Sequence, residues 1–304
     1  MRQLQSDPEH AALDEMILRA RAAMSEVADY DQARIDRLCQ ALGWATANEK
    51  TFNRIVAMSI DESRLGDPEG RKSKRMKILG VLRDALRQKS TGIIEQIPER
   101  GIVKYAKPAG VIASLVPTTN PELTPPYTGI YALKCLDAVI FSPHPRSKRT
   151  TFEMVRVMRE ALRRQGAPAD LFQCIENPSV PLTQYLMAHC DLTLATGGQP
   201  MVRAAYSSGT PAYGVGVGNA VHVVDETADL ADAATAIMTA KTFDYATSCL
   251  ADNAVVVHAD VYDELLRRLT GAGAHLCDQG QKEALRAVMS LTIAAALSIP
   301  PAYR

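Results

Sequence analysis

One cysteine in this sequence lies where it can act as a nucleophile. Cys249 belongs to the segment FDYATSCL (residues 243–250), between a predicted helix and an apolar strand, and the small residues around it let a substrate approach. Helix termini and nearby backbone N–H groups lower the pKa of a thiol and favour the thiolate. The six cysteines, at positions 39, 135, 174, 190, 249 and 277, form no CxxC pair and no zinc-finger spacing with histidine. We therefore expect no metal site, and a small buried hydrophobic role is the alternative for each cysteine.

The second candidate for a catalytic residue is an asparagine that lies between two prolines. Asn120 lies in VPTTNP (residues 116–121), directly after an apolar run, and the flanking prolines hold it in a non-helical turn. Its side-chain amide can donate a hydrogen bond to a developing oxyanion. An Asx-type turn is the alternative explanation for an asparagine at this point.

Two glycine-containing segments also follow apolar runs. In ATGGQP (residues 195–200) the paired glycines precede a helix, where exposed backbone N–H groups bind phosphate. The segment GVGVGN (residues 214–219) is not a GxGxxG fingerprint, because its sixth residue is Asn219. Tight packing or a hinge explains its glycines as well as a ligand does.

These candidate residues follow apolar runs, and the sequence predicts that the runs are β-strands that position them. Five short apolar runs separated by helical segments predict an α/β fold with a Rossmann-like parallel sheet, because parallel neighbours need crossover connections. The runs are Val111 to Val116, Ala138 to Phe141, Leu171 to Ile175, Leu192 to Ala195 and Ala212 to Val215. Ligands are expected at the carboxyl ends of these strands.

Helices are predicted before this region and a further strand, helix and strand after it. Residues 1–215 are expected to form N-terminal helices and a dinucleotide-binding domain, with a hairpin near residues 91–107. Residues 216–304 are expected to form an incomplete α/β catalytic domain. Asp67-Pro68 predicts the start of a helix with a basic face, which either meets an anionic ligand or, more commonly, is solvated. That face carries Lys72, Lys74, Arg75 and Lys77.

Composition excludes several classes of function. The 34 basic and 34 acidic residues of this 304-residue chain cancel, so the basic surface excess of a nucleic-acid or anionic-membrane binder is missing. No apolar run is long enough to span a membrane, and the N-terminus is too polar for a secretory signal. We therefore expect a cytoplasmic protein without nucleic-acid or membrane partners.

Taken together and in order, these segments resemble the aldehyde dehydrogenase superfamily, specifically its CoA-acylating branch. The matching segments are VPTTNP (116–121), FSPHPRSK (141–148), ATGGQPMVRAAYSSG (195–209), GVGVGN (214–219) and KTFDYATSC (241–249). The branch includes acetaldehyde and sulfoacetaldehyde dehydrogenases. The resemblance implies that Cys249 is the nucleophile and that Asn120, with the Cys249 backbone N–H, stabilises the oxyanion. It further implies a thioester on Cys249 after hydride transfer to NAD or NADP.

The resemblance also distinguishes coenzyme A from water as the second substrate. Hydrolytic relatives carry a glutamate general base where this chain has Gly214, and a thiol needs such a base less than water does. The expected products are therefore a reduced cofactor and an acyl-CoA made from a small aldehyde such as sulfoacetaldehyde or acetaldehyde. A hydrolytic enzyme and a non-catalytic nucleotide-binding remnant are the alternatives.

Cofactor contacts are implied at the strand ends by the same resemblance. FSPHPRSK has no carboxylate and two cations, Arg146 and Lys148, so a 2′-phosphate is tolerated there; solvent-facing cations are the alternative. The implied contacts are Pro117, Thr118, Thr119, Ser142, His144, Pro145, Arg146, Thr196, Gly197, Gly198, Gly214 and Gly216.

The resemblance ends near Met289, and residues 290–304 match nothing expected of the family. We therefore expect a chain truncated at its C-terminus, by a frameshift or premature stop. Such a chain lacks part of the catalytic domain and the region through which family members form homo-oligomers.

Overall fold

The computed structural model describes residues 8–216 and 218–297. The chain divides into two compact units, residues 1–217 and residues 218–304. No helix in the described ranges is long and apolar enough to cross a membrane.

The first unit begins with five helices, as the spacing of apolar residues predicts. They are α1 (Pro8–Val27), α2 (Gln32–Ala47), α3 (Glu49–Ser63), α4 (Pro68–Ser73) and α5 (Arg75–Leu86). Side chains fix where they start: the Asp31 carboxylate accepts from the Arg34 N–H before α2, and Asn48 accepts from the Thr51 N–H before α3. Asp67 caps α4 through two N–H groups, with Pro68 in the first turn, as predicted.

An antiparallel hairpin follows, as predicted, formed by β1 (Ile93–Ile97) and β2 (Ile102–Tyr105). The chain then enters the sheet that the five apolar runs predict. Its strands are β3 (Val111–Val116), β4 (Ala138–Pro143), β5 (Phe172–Cys174), β6 (Leu192–Thr196) and β7 (Ala212–Val215). The connecting helices are α6 (Thr124–Lys134), α7 (Lys148–Arg164), α8 (Val180–His189) and α9 (Gln199–Tyr206).

All pairs of this sheet are parallel, in the order β5-β4-β3-β6-β7, which confirms the predicted fold class. Every residue of β3 and β4 is buried, and each strand is apolar apart from one serine, Ser114 in β3 and Ser142 in β4. The carboxyl ends of β3, β4, β6 and β7 meet at one edge. There the His144 N–H donates to Val116 O at 3.0 Å, and the Gly197 N–H donates to Val215 O at 3.1 Å.

The second unit is built on a parallel pair of strands. Its elements are β8 (Ala220–Val224), α10 (Leu230–Thr242), β9 (Asp252–Val257), α11 (Tyr262–Gly271) and α12 (Gln279–Leu297). The predicted helix of this unit begins at Leu230, because the Asp229 carboxylate caps it through the N–H groups of Ala231 and Asp232.

The core of this second unit is small. Its core cluster in the described range consists of four buried apolar residues, Val224, Ala234, Ile237 and Leu265. Val223 and Val256 remain 77% and 58% exposed on the strands. Leu250 is exposed, and Val255 and Val257 are partly exposed.

Candidate active site

Asn120 lies in the loop that follows β3, at the edge where the sheet presents its carboxyl ends. Its backbone carbonyl accepts hydrogen bonds from the N–H groups of Leu123 and Thr124 and from the Thr124 hydroxyl, which ties the turn to the start of α6. Its side-chain Oδ1 accepts from Lys74 Nζ at 2.9 Å. In the described ranges, its Nδ2 makes a single hydrogen bond, a long one of 3.4 Å to Thr119 Oγ1. The amide nitrogen thus retains donor capacity in a half-buried loop.

A buried ionic cluster supports this loop, and the sequence reasoning missed it. Arg71 donates from Nη1 to Ser59 Oγ at 2.9 Å and from Nη2 to Thr119 O at 3.3 Å. Ser59 Oγ in turn donates to Glu122 Oε2 at 3.2 Å. Arg71 and Glu122 are fully buried and Lys74 is 1% exposed. The expectation of a solvated basic face is therefore wrong for Lys74, which turns into the protein beside Asn120.

The charges in this cluster act on Glu122 in opposite directions. Burial raises the pKa of its carboxyl, while the nearby Arg71 and Lys74 cations lower it. Glu122 Oε2 lies 3.8 Å from Arg71 Nη1, and Glu122 Oε1 lies 3.9 Å from Lys74 Nζ. A signal for the cluster was present in the sequence, since Glu122 follows Asn120 by two residues and Arg71 and Lys74 are three apart. Nothing local indicates that the two segments meet.

Cys249 lies in a tight turn between α10 and β9. The Ala251 N–H donates to Ser248 O at 3.0 Å, which places Cys249 second in the turn with its side chain exposed. Within residues 218–297 the Cys249 N–H donates no hydrogen bond. One residue therefore presents a thiol and an available backbone donor.

Other cysteines are held in environments that suppress ionisation. Burial raises the pKa of the Cys39, Cys174 and Cys190 thiols to about 12. Because the thiolate is the reactive form, these three are poor nucleophiles at neutral pH. Exposure thus separates Cys249 from Cys39, Cys174 and Cys190, while Cys135 is exposed as well.

The segment before Cys249 has an uncommon backbone conformation. Asp244, Tyr245 and Ala246 have φ values of 54°, 52° and 57°, all in the left-handed region. A non-glycine residue there costs roughly 1–2 kcal/mol relative to the right-handed region. Such strain persists only where surrounding contacts impose it, and it is frequent at active sites.

The start of α9 offers a place for a phosphate. Gly198 precedes this helix without any side-chain cap. A Cβ added at Gly197 or Gly198 would meet no atom closer than 3.7 Å, so packing does not require glycine at either position. Beside it at the same edge, Thr118 Oγ1 is buried without a hydrogen-bond partner in the described ranges. An anionic, hydroxyl-bearing ligand such as a dinucleotide fits these three features.

The start of α7 is closed by contrast. The Glu62 carboxylate accepts hydrogen bonds from the backbone N–H groups of Arg149 and Thr150, each at 2.8 Å, and from the Thr150 hydroxyl. FSPHPRSK itself has no carboxylate, but the fold brings one to its helix from α3. Phosphate binding by the first-turn N–H groups of α7 is thereby blocked.

Side chains of FSPHPRSK are held by contacts within the first unit. Arg146 Nη2 donates to Ser63 O at 2.8 Å, and Lys148 Nζ donates to Asn177 Oδ1 at 2.9 Å. The Ser142 hydroxyl is buried against Thr183. His144 Nδ1 accepts from the Arg146 N–H, and partial burial together with the Arg146 guanidinium lowers the pKa of this imidazole. Pro145 opens the short 3₁₀ turn Pro145–Ser147.

Gly214 is explained by packing. A Cβ there would lie 2.6 Å from Val202 Cγ1 and 2.9 Å from Tyr206 Cε2, both on α9. The Tyr206 hydroxyl also accepts from the Gly214 N–H at 3.0 Å. Since even one carbon does not fit, the fold has no room for a glutamate at this position. At Gly216 a Cβ would make an ordinary 3.6 Å contact with Val202.

The chain matches a known protein family over most of its length. The profile described as "Aldehyde dehydrogenase family" matches residues 5–289. The chain belongs to this family. Aldehyde dehydrogenases similar to it include the sulfoacetaldehyde dehydrogenase of Acholeplasma sp, 45% identical over 267 residues, which cover 88% of this chain and 55% of that protein.

Two further relatives are acylating members of the family. The sulfoacetaldehyde dehydrogenase (acylating) of Bilophila wadsworthia (strain 3_1_6) is 43% identical over 90% of this chain and 59% of its own length. The crystal structure of an acetylating aldehyde dehydrogenase from Geobacillus thermoglucosidasius superposes with a TM-score of 0.86 at 34% identity, covering 90% of this chain and 61% of that one. The chain thus spans little more than half the length of these relatives.

Proposed function

We propose that this chain is the CoA-acylating kind of aldehyde dehydrogenase, which converts a small aldehyde to its acyl-CoA through a thioester on Cys249. The observation that carries the proposal is the Cys249 turn, where an exposed thiol and an unbonded N–H belong to one residue. Asn120 is proposed as the second oxyanion donor. The relatives named acylating or acetylating support the proposal of a CoA-acylating reaction.

Each residue has one task in this reaction. The Cys249 thiolate attacks the aldehyde carbon, and the carbonyl oxygen becomes an oxyanion held by the Asn120 amide and the Cys249 N–H. A nicotinamide dinucleotide, NAD or NADP, would accept the hydride that this adduct loses as it becomes the thioester. CoA, which has lost its thiol proton to solvent, then attacks the thioester carbon as a thiolate and releases Cys249 as a thiolate.

Release to CoA rather than water follows from the packing at Gly214. A general base that activates water would have to extend from this position, and the Val202 and Tyr206 side chains occupy its space. CoA brings a thiol, which ionises far more readily than water and needs no such base.

The proposed cofactor is a nicotinamide dinucleotide whose phosphates lie at the start of α9. Gly197, Gly198 and Thr118 would hold it. A 2′-phosphate would depend on the Arg146 and Lys148 side chains, because Glu62 occupies the N–H groups at the start of α7. Titration calorimetry with NAD⁺ and NADP⁺ tests this: Arg146→Ala is expected to weaken NADP⁺ binding and leave NAD⁺ binding unchanged.

Sulfoacetaldehyde is the substrate we propose first, since two relatives above 40% identity carry that name. The test measures cofactor reduction by purified chain with sulfoacetaldehyde or acetaldehyde, with and without CoA. Turnover should require CoA, should favour sulfoacetaldehyde and should be lost in Cys249→Ala but kept in Cys135→Ala, an exposed cysteine control. Free acid formed without CoA, or activity that survives Cys249→Ala, overturns the proposal.

A nucleotide-binding protein without catalysis is the second candidate. The first unit has a large core of its own, whereas the second has only a small one. Dinucleotide binding by calorimetry, with no turnover of either aldehyde, would support this candidate instead.

A further inference from the structure

Lys74 and Asn120 lie 46 residues apart in sequence and share a hydrogen bond of 2.9 Å. Lys74 follows α4 directly and precedes α5, so two helices fix its backbone. Its side chain is 1% exposed. A lysine so deeply buried is uncommon unless it is paired, and here its ammonium meets an amide oxygen in the turn that follows β3.

The chemistry of an ammonium decides which way the amide faces. Lysine offers three donors and no acceptor, so Nζ can bind only the Oδ1 end of the Asn120 amide. The amide nitrogen is consequently directed away from Lys74. The remaining bond, from Nδ2 to Thr119 Oγ1 at 3.4 Å, is too long to fix the orientation by itself.

Neighbouring contacts hold both partners in place. Glu122, two residues after Asn120 in the same turn, has Oε1 3.9 Å from Lys74 Nζ. Arg71 donates to Thr119 O and to Ser59, which donates to Glu122. The turn of residues 119–122 is thus anchored at three points to the segment that carries Arg71 and Lys74.

We propose that Lys74 is a positioning residue for the oxyanion donor: it holds the oxygen of the Asn120 amide, which leaves the N–H groups of that amide to donate to the reacting carbonyl, and it polarises the amide. The proposal rests on the oxyanion role proposed above for Asn120. A cation on the oxygen of an amide draws electron density from its nitrogen, so the N–H groups become stronger donors. An amide held in advance needs no reorganisation when the oxyanion forms.

Kinetics of four variants test the proposal. Asn120→Ala should lower kcat about 100-fold, the typical loss of one oxyanion donor, and Lys74→Met should lower kcat about 10-fold or more with little change in the KM for aldehyde. Lys74→Arg keeps a cationic donor and should recover most of the loss. Lys72→Met is the matched control, because Lys72 is partly exposed and forms an ion pair with the exposed Glu69, and it should leave kcat unchanged.

A double-mutant cycle separates positioning from a merely structural role. If Lys74 acts through Asn120, Lys74→Met should cost nothing further in an Asn120→Ala background. Lys74→Met also leaves Glu122 with one cation fewer, so Lys74→Met/Glu122→Gln serves as the variant without the unbalanced carboxylate and should show the same loss. Equal kcat in Lys74→Met and the parent, or effects that multiply in the double variant, overturn the proposal.

An NMR measurement makes the test independent of turnover. The side-chain NH₂ signal of Asn120, assigned by its loss in Asn120→Ala, should shift in Lys74→Met and stay in place in Lys72→Met. An unshifted signal overturns the proposal whether or not the chain is active. Turnover that is unaffected by both Cys249→Ala and Asn120→Ala refutes the proposed function instead, while the NMR result still decides the Lys74 to Asn120 bond.

Discussion

Gly214 permits a quantitative test of the packing that leaves no room for a side chain at this position. In Gly214→Ala the new Cβ would lie 2.6 Å from Val202 Cγ1 and 2.9 Å from Tyr206 Cε2, so both side chains must shift. Val202 is only 9% exposed and has little freedom to move. Tyr206 is exposed, but its rotation breaks the hydrogen bond between the Gly214 N–H and its hydroxyl.

Two contributions set the magnitude. Overpacking by one carbon costs about 1–3 kcal/mol, and the lost hydrogen bond adds about 1 kcal/mol. We therefore expect Gly214→Ala to lower the free energy of unfolding by about 3 kcal/mol, which for a unit of this size lowers Tm by about 6–12 °C. Urea and thermal unfolding followed by far-UV circular dichroism measure both quantities.

A matched control lies two residues along. A Cβ at Gly216 would be 3.6 Å from Val202, an ordinary contact, so Gly216→Ala should change stability by less than about 0.5 kcal/mol. Val202→Ala in the Gly214→Ala background should make the double variant more stable than the sum of the single effects by about 1 kcal/mol or more. Gly214→Ala as stable as the parent, or Gly216→Ala equally destabilised, would refute the packing argument.

Three further predictions concern charge, backbone strain and thiol reactivity. Burial raises the pKa of Asp137 to about 6, so the folded chain binds this proton more tightly than the unfolded chain does. Stability should therefore fall by about 3 kcal/mol as pH rises from about 4 through 6, and unfolding of Asp137→Asn across this pH range should lack that component. Ala246→Gly relieves one left-handed residue and should raise the thermal stability of the second unit by up to about 1 kcal/mol, since the flexibility of glycine in the unfolded state offsets part of the gain. Iodoacetamide at neutral pH should alkylate Cys249 well before Cys39, Cys174 and Cys190, as peptide mass mapping would reveal.

Each of these has a contrary outcome. Parallel pH profiles for the parent and Asp137→Asn would mean that this carboxyl titrates in its ordinary range. Lower stability in Ala246→Gly would mean that the left-handed turn is unstrained. Alkylation of Cys39, Cys174 and Cys190 at the rate of Cys249 would mean that the raised pKa of these three thiols does not protect them.

Local pattern was enough to predict the elements and the edge of the sheet that carries the candidate residues. Apolar runs of strand length that alternate with helical segments favour a parallel sheet, because parallel neighbours are joined by crossover helices. Parallel strands in turn bring their carboxyl ends to one edge of the sheet. The sequence therefore predicts that the loops after β3, β4, β6 and β7 lie together. The helices α2, α3 and α4 each begin after an aspartate or asparagine whose side chain accepts hydrogen bonds from first-turn N–H groups, which is a local effect.

Prediction failed where a contact joins distant segments. The sequence gives no reason to treat Lys72 and Lys74 differently, and both were expected to face solvent. Of these two, Lys74 instead contacts the loop after β3, at Asn120, which lies 46 residues along the chain, while Lys72 pairs with the exposed Glu69. Glu62 reaches the start of α7 across 87 residues and supplies the carboxylate that the local segment lacks.

The sequence by itself determined the strand and helix order, the Asn120 turn and the small-residue segment around Cys249, because these follow from side-chain periodicity and local backbone restrictions. The tertiary structure decided which lysine holds Asn120, which carboxylate closes α7 and why position 214 has no side chain. Periodicity records which face of an element is buried. The identity of the element that covers that face depends on packing across the whole unit, and packing is fixed only when the chain folds.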